Sequence, residues 1–155
     1  MRDLIDNIKV KPLITPTQIE GEFETAPLCI WGYDSLTLIL NLGKEFKGLS
    51  DENCVQFLLE HGDSKETLTP VVEDHILGGD PITDGVIMTL NDDTQVGSVY
   101  CFGYLGDRSL VQLKVLMRGT HEVGIPMSCV AVLGHGEYMP PESYMERLDA
   151  IEEAL

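Results

Sequence analysis

Residues Val96 to Met117 read VGSVYCFGYLGDRSLVQLKVLM. In the first arm Ser98, Tyr100, Phe102 and Tyr104 fall on one side of an extended chain, with Val99, Cys101 and Leu105 on the other. In the second arm Val111, Leu113, Val115 and Met117 share a face opposite Gln112, Lys114, Leu116 and Arg118. A period of two is the signature of strands with one buried face. Between the arms, Gly106-Asp107-Arg108-Ser109 has the residue types of a tight turn, so the stretch is expected to form a β-hairpin. A hairpin with one apolar face is not stable alone and needs a second sheet to cover it.

The rest of the chain supplies that sheet. Short strands are expected over Ala26–Gly32, over Ser35–Leu42 (with Leu36, Leu38, Leu40 and Leu42 alternating), and over Cys54–His61. Further strands follow at Asp84–Leu90 and Ile125–Gly134. Turn residues separate them, among them Gly32-Tyr33-Asp34-Ser35, His61-Gly62-Asp63-Ser64 and Asn91-Asp92-Asp93-Thr94. Thr67–Leu77 mixes strand and turn, and Pro70 keeps it away from a sheet centre. About eight short strands with no helical period between them predict an all-β fold, an antiparallel β-sandwich or barrel.

The ends differ from the middle. Residues 1–23 have no clear period, because Pro12 and Pro16 interrupt them, and they are expected to form an extended N-terminal arm over the body, with a short strand as the alternative. Arg2, Lys9 and Lys11 leave the first half of that arm slightly positive on a very acidic chain. At the other end Pro140-Pro141-Glu142 opens a stretch with Met145, Leu148, Ile151 and Leu155 at helical spacing. A short C-terminal helix of about three turns is expected there. The sequence therefore divides into an arm (1–23), a sandwich (24–138) and a helical tail (139–155).

Composition excludes several functions. The 155 residues carry a formal net charge of −16, which opposes direct binding to nucleic acid and adhesion to anionic membranes. No stretch approaches the roughly 20 apolar residues of a membrane helix, and the first residues lack the apolar segment of a signal peptide. Cys29, Cys54, Cys101 and Cys129 are widely spaced inside strand-like runs, with no C-x-x-C pair. They are expected to be free thiols acting as small apolar side chains in a reducing compartment.

Residues able to do chemistry are present but not arranged for it. His61, His75, His121 and His135 lack the spacings that put two ligands on one element. Asp80, Asp84, Asp92 and Asp93 crowd the loops around one strand without the offsets of an EF-hand; loop solvation is the first reading and Ca²⁺ the alternative. Ser98 and Ser128 lie in strands with no G-x-S-x-G turn, and no cysteine has the setting of a catalytic thiol. Trp31, Tyr33, Tyr100 and Tyr104 form either core or an aromatic sugar platform. No catalytic, cofactor-binding or metal-ligating residue is assigned, no cofactor is expected, and the chain reads as a non-enzymatic structural or binding module.

Several segments together resemble a known family. They are Met1-Arg2-Asp3-Leu4-Ile5-Asp6-Asn7-Ile8, Gly32-Tyr33-Asp34-Ser35 before an alternating strand, and Phe57 to Ser64 running into an acidic turn. Val99 to Gly106, Arg108 and Ala131-Val132-Leu133-Gly134-His135-Gly136 follow in the same order. In order and spacing, over most of residues 1–140, they resemble the cement, or decoration, proteins of tailed-phage heads. The resemblance implies a jelly-roll sandwich that assembles as a homotrimer. It implies a virion location on the capsid exterior after synthesis in the host bacterial cytoplasm. The major capsid protein would be the partner, clamped at three-fold positions. The C-terminal helix departs from the family pattern, in which chains end soon after the last strand. The arm, residues 1–23, is expected to make much of the capsid contact. The alternative from another class is a carbohydrate-binding β-sandwich module using exposed aromatics and Ca²⁺.

Overall fold

The computed structural model describes residues 4–44, 46–136 and Glu153. Eleven strands follow one another: β1 (Ile8–Ile19), β2 (Phe23–Glu24), β3 (Leu28–Cys29), β4 (Tyr33–Leu42), β5 (Val55–Gly62), β6 (Thr69–Pro70), β7 (Ile76–Leu77), β8 (Val86–Leu90), β9 (Val99–Tyr104), β10 (Leu110–Met117) and β11 (Ile125–Gly136). The chain is all-β, an antiparallel sandwich of a five-stranded sheet, β1-β11-β4-β9-β7, and a six-stranded sheet built on β10 and β5.

The topology is a long hairpin rolled up. β1 pairs with β11, β2 and β3 in succession with β10, β4 with β9, and β5 with β8, all antiparallel. Alternate pairs go to opposite sheets, and β11–β4 and β10–β5 contacts join them within each sheet. That is the jelly-roll arrangement, which manages sheet edges by wrapping each layer over the other.

The hairpin expected over Val96–Met117 does not form. β9 lies in the five-stranded sheet and β10 in the six-stranded one, so Leu105–Ser109 crosses between layers instead of turning within one. The alternation was correct for each arm: Phe102 and Tyr104 are buried from one sheet, and Val111, Leu113 and Val115 from the other. Period two identifies the buried face of a strand, whereas two arms that pack face to face carry the same pattern as two that pair edge to edge.

The N-terminal segment is extended, as expected, but it is part of the sheet. β1 pairs with β11 from Ile8↔Gly134 to Ile19↔Ile125, with register breaks beside Pro12 and Pro16. Proline cannot donate to a ladder, so β1 is tolerated only at an edge and with bulges, and these hide its period. Its Ile14 and Ile19 reach the core. Deleting residues 1–20 would therefore strip a strand whose side chains reach the core. The helix expected in the tail lies outside the described residues, apart from Glu153, which is helical and exposed.

The core is apolar and two-layered. Leu36, Leu38, Leu40 and Leu42 of β4 face Phe57 and Leu59 of β5 and Leu113 and Val115 of β10 within one cluster. A register shift where β5 meets β8 lets Ile87 and Met88, neighbours in sequence, both be buried. Each such fully buried side chain contributes roughly 1.5–3 kcal/mol of burial. Ile14→Ala is expected to lower unfolding free energy by about 2–5 kcal/mol in urea titrations. A shift below about 0.5 kcal/mol, the size of a surface change, would mean that β1 only lies on the body.

Candidate functional site

The crossing Leu105–Ser109 shapes one end of the sandwich. There it meets the turn before β4, the end of β5 and the end of β11, and together they enclose a cleft of 770 Å³. Its walls include Trp31, Tyr33, Asp34, Ser35, Asp63, Tyr104, Asp107, Arg108, Ser109 and His135. Four of the segments that carry the family resemblance thus converge here: Gly32–Ser35, the His61–Ser64 turn, Tyr104–Arg108 and Gly134–Gly136. Sequence order gave no sign that they meet, because the roll brings them in from both sheets.

Local backbone needs explain several of these residues. Gly32 closes the turn into β4 with φ +89°, a left-handed conformation that glycine adopts without penalty. A side chain at Gly106 would collide with the Tyr104 ring. His135 has φ +50°, and its Nδ1 lies 3.1 Å from Ser35 Oγ. Non-glycine residues seldom adopt this region.

Two polar clusters hold the cleft. Arg108 Nη1 donates to Asp63 Oδ2 at 2.9 Å, while Ser109 N and Oγ donate to Asp63 Oδ1 at 3.3 and 3.4 Å. The hydrogen bond from Arg108 holds the Asp63 carboxyl below the ordinary carboxylate range. Behind them Tyr104 Oη lies 2.7 Å from His61 Nδ1, and the His61 and His75 rings pack tilted at 53° with centroids 4.6 Å apart. Burial, followed by the neighbouring His75 and Arg108, lowers the His61 pKa. His61 Nδ1 and the Tyr104 hydroxyl share this hydrogen bond, and burial raises the Tyr104 pKa. The N–H of Val72 donates to His75 Nδ1 at 3.2 Å.

The structure sorts the other candidate residues. Of the proposed sugar platform, Tyr33 and Tyr104 are buried and the Tyr100 hydroxyl donates to the Gln95 carbonyl at 2.7 Å. Only Trp31 stands exposed. His61 and His75 come together; His121 bonds the Arg118 carbonyl and His135 bonds Ser35 elsewhere. The loop acids work separately. Asp80 accepts from Thr89 N, Asp92 from Thr94 N, and Asp93 from the N–H groups of Gly48 and Leu49. Among the described residues no three His, Cys, Asp or Glu gather as a metal site. None of the four cysteines is in a disulfide; Cys29, Cys54 and Cys129 are buried, burial pushes the Cys129 thiol up to about 12, and Cys101 is exposed.

The two outer sheet faces differ in chemistry. On the six-stranded sheet Lys114 meets Glu60 at 2.8 Å, and Gln112 Nε2 donates to Glu24 at 2.8 Å and to the Thr25 carbonyl at 2.7 Å. On the five-stranded sheet two cross-strand rows carry no charge: Val10, Val132, Thr37, Gly103 and Leu77, and beside them Pro12, Val130, Ile39 and Cys101. Val10, Leu77 and Val99 on this sheet are exposed. Alternation missed this surface because the outward residues of these strands are apolar too.

No protein-family model matches the chain, and no curated protein matches it. Among solved structures it is similar in fold to the SPBc2 prophage-derived protein YomS, at 10% identity and TM-score 0.48, over 86% of this chain and 97% of that one. It is also similar to a protein of the disulfide-linked pili of Bacillus endospore appendages, at 12% identity and TM-score 0.39, over 83% and 88% of the two chains. A xylan-binding module aligns at 15% identity and TM-score 0.37, over 88% and 95%.

Two measurements check this site. A histidine with a lowered folded-state pKa gives stability that is complete above its unfolded value, near 6.5, and is lost as pH falls toward the folded value. Urea titrations should show the protein weakening from pH 7.5 to 5.5, and His61→Gln should flatten that trend. Asp63 is lowered from an ordinary value of 3.8 and acts only in more acidic solution, outside this window. A thiol reagent should titrate Cys101 rapidly in the native protein and the other three cysteines only after denaturation.

Proposed function

We propose that this chain is a non-enzymatic structural protein of a phage virion, which assembles as a homotrimer and docks on the major capsid protein at the capsid exterior. The observation that carries the proposal is the pair of uncharged cross-strand rows on the outer face of the five-stranded sheet, with Val10 49% and Leu77 60% exposed in one of them and Val99 58% exposed nearby. On a chain of net charge −16, most approaches by another copy are repulsive. A contiguous apolar surface without charge is where a protein partner gains burial without meeting like charge. Closing three equivalent contacts into a ring then presents three copies of one docking surface, so weak contacts act together. The jelly-roll order and the ordered family-like segments agree with this reading. The capsid contact expected of residues 1–23 narrows to side chains outside the core, such as exposed Leu4 and Ile5 before β1 and Val10 within it.

One observation favours a carbohydrate-binding module as the second reading: Trp31 is 57% exposed beside a cleft. With Tyr33 and Tyr104 buried, that platform reduces to a single ring.

The experiment pairs native mass with capsid binding. Leu77→Lys combined with Val99→Lys changes two exposed positions and should leave the circular dichroism unchanged. The wild type should run as a trimer in light scattering and co-sediment with capsids stripped of their decoration. The double variant should lose both properties. A wild type that neither self-associates nor binds capsids, or a variant that keeps both properties, would sink the proposal.

A further inference from the structure

We propose that the cleft at the crossing end receives a basic side chain, arginine or lysine, from a protein partner, with the Trp31 indole as its platform and Asp34 and Asp107 as its counter-charges. This goes beyond the virion reading, since it concerns the chemistry of one contact and holds for any protein that offers that side chain.

Trp31 is the sole tryptophan of the chain and lines the cleft with 57% of its surface exposed. Tryptophan is highly buried on average, so a ring left open beside a cavity is a surface available to a ligand. The charge around it is unbalanced: Asp34, Asp63 and Asp107 line the cleft against one guanidinium, that of Arg108. Arg108 is committed to Asp63 at 2.9 Å. It stands 3.7 Å from Asp107, whose side chain is 93% exposed. Among the described residues no cation pairs with Asp34. An anionic ligand would meet this excess of carboxylates unfavourably. A cation gains from the carboxylates and from the negative face of the indole together. The net charge of −16 adds long-range attraction of the same sign.

The cleft is also set before anything enters it. Ile30 N donates to the Ser109 carbonyl at 2.9 Å and Tyr33 N to the Ile30 carbonyl at 3.1 Å. These bonds tie the Trp31 turn to the crossing, so little ordering is needed on binding. A volume of 770 Å³ admits a guanidinium or ammonium with its aliphatic stem.

Trp31 is its own reporter. Its fluorescence should respond saturably to tetra-arginine amide and not to tetraglutamate or a neutral cello-oligosaccharide. Raising salt from 50 to 500 mM should weaken the response about tenfold. Asp34→Asn with Asp107→Asn should weaken it at least about fivefold. Glu20→Gln with Glu22→Gln removes two charges outside the cleft and should leave the response within about twofold of wild type. Three results would overturn the proposal. One is no saturable response to the basic peptide, and another is equal weakening by the two double variants. The third is a salt-independent response to the neutral oligosaccharide, which would assign the cleft to a sugar. None of these outcomes depends on capsid binding.

Discussion

Ile8 to Ile19 runs along Ile125 to Gly136, and this pairing of the first strand with the last is what lets the roll close. Without β1, the inner ends of Ala131 and Leu133 would lose the strand that flanks them, and β11 would become an exposed edge of the five-stranded sheet. The partner pairings nest inside it: β2 and β3 on β10, then β4 on β9, then β5 on β8. Each outer pairing joins segments further apart in the chain than the one it encloses. Such non-local closure is slow, so folding is expected to start from the inner pairs, whose loop closure costs less entropy.

Rolling also places a polar cluster at one end of the core, around buried His61. Where β9 hands over to β10, the chain must pass from one layer to the other, and the layers cannot be sealed there by side chains alone. Tyr104 ends β9 with its hydroxyl against His61 of the opposite sheet, and Asp63 takes three donors from Arg108 and Ser109. Every buried side-chain nitrogen and oxygen among the described residues has a partner. A satisfied polar junction of this kind fixes the loops that flank it, because leaving any one group unpaired would cost more than the bond itself returns. The cleft is therefore a by-product of closure, and its rigidity comes from the same bonds.

How much of this was legible in the sequence depends on what each residue had to specify. The leucines of β4 and the alternating Val111, Leu113 and Val115 announced buried faces, and turn residues announced strand ends, so class and layer number followed. Pairing partners did not follow, because Val96–Met117 reads equally well as one hairpin or as two strands in facing sheets. β1 was obscured by Pro12 and Pro16, whose cost is borne at bulges on an edge. Trp31, Tyr33, Tyr100 and Tyr104 gave one sequence signal with two readings, core or sugar platform, and it could not separate the tyrosines that serve the core from exposed Trp31. The meeting of His61, His75 and Tyr104 needed the roll itself, since no spacing along the chain brings them together.

Charge separates the two candidate surfaces and suits each to a different kind of partner. The cross-strand rows from Val10 to Leu77 and from Pro12 to Cys101 have no ionisable carboxylate or cation, so association there gains mainly from burial and should respond weakly to salt. The cleft has an excess of carboxylates around an exposed ring, so association there gains from field and should weaken as salt rises. A chain of net charge −16 needs both if it is to meet copies of itself and a different protein at once. Copies of like charge can come together only across a neutral face, while a basic partner is drawn to the acidic end. With the neutral face on the flat of one sheet and the acidic cleft at the end of the roll, the two proposed contacts would not compete for the same surface.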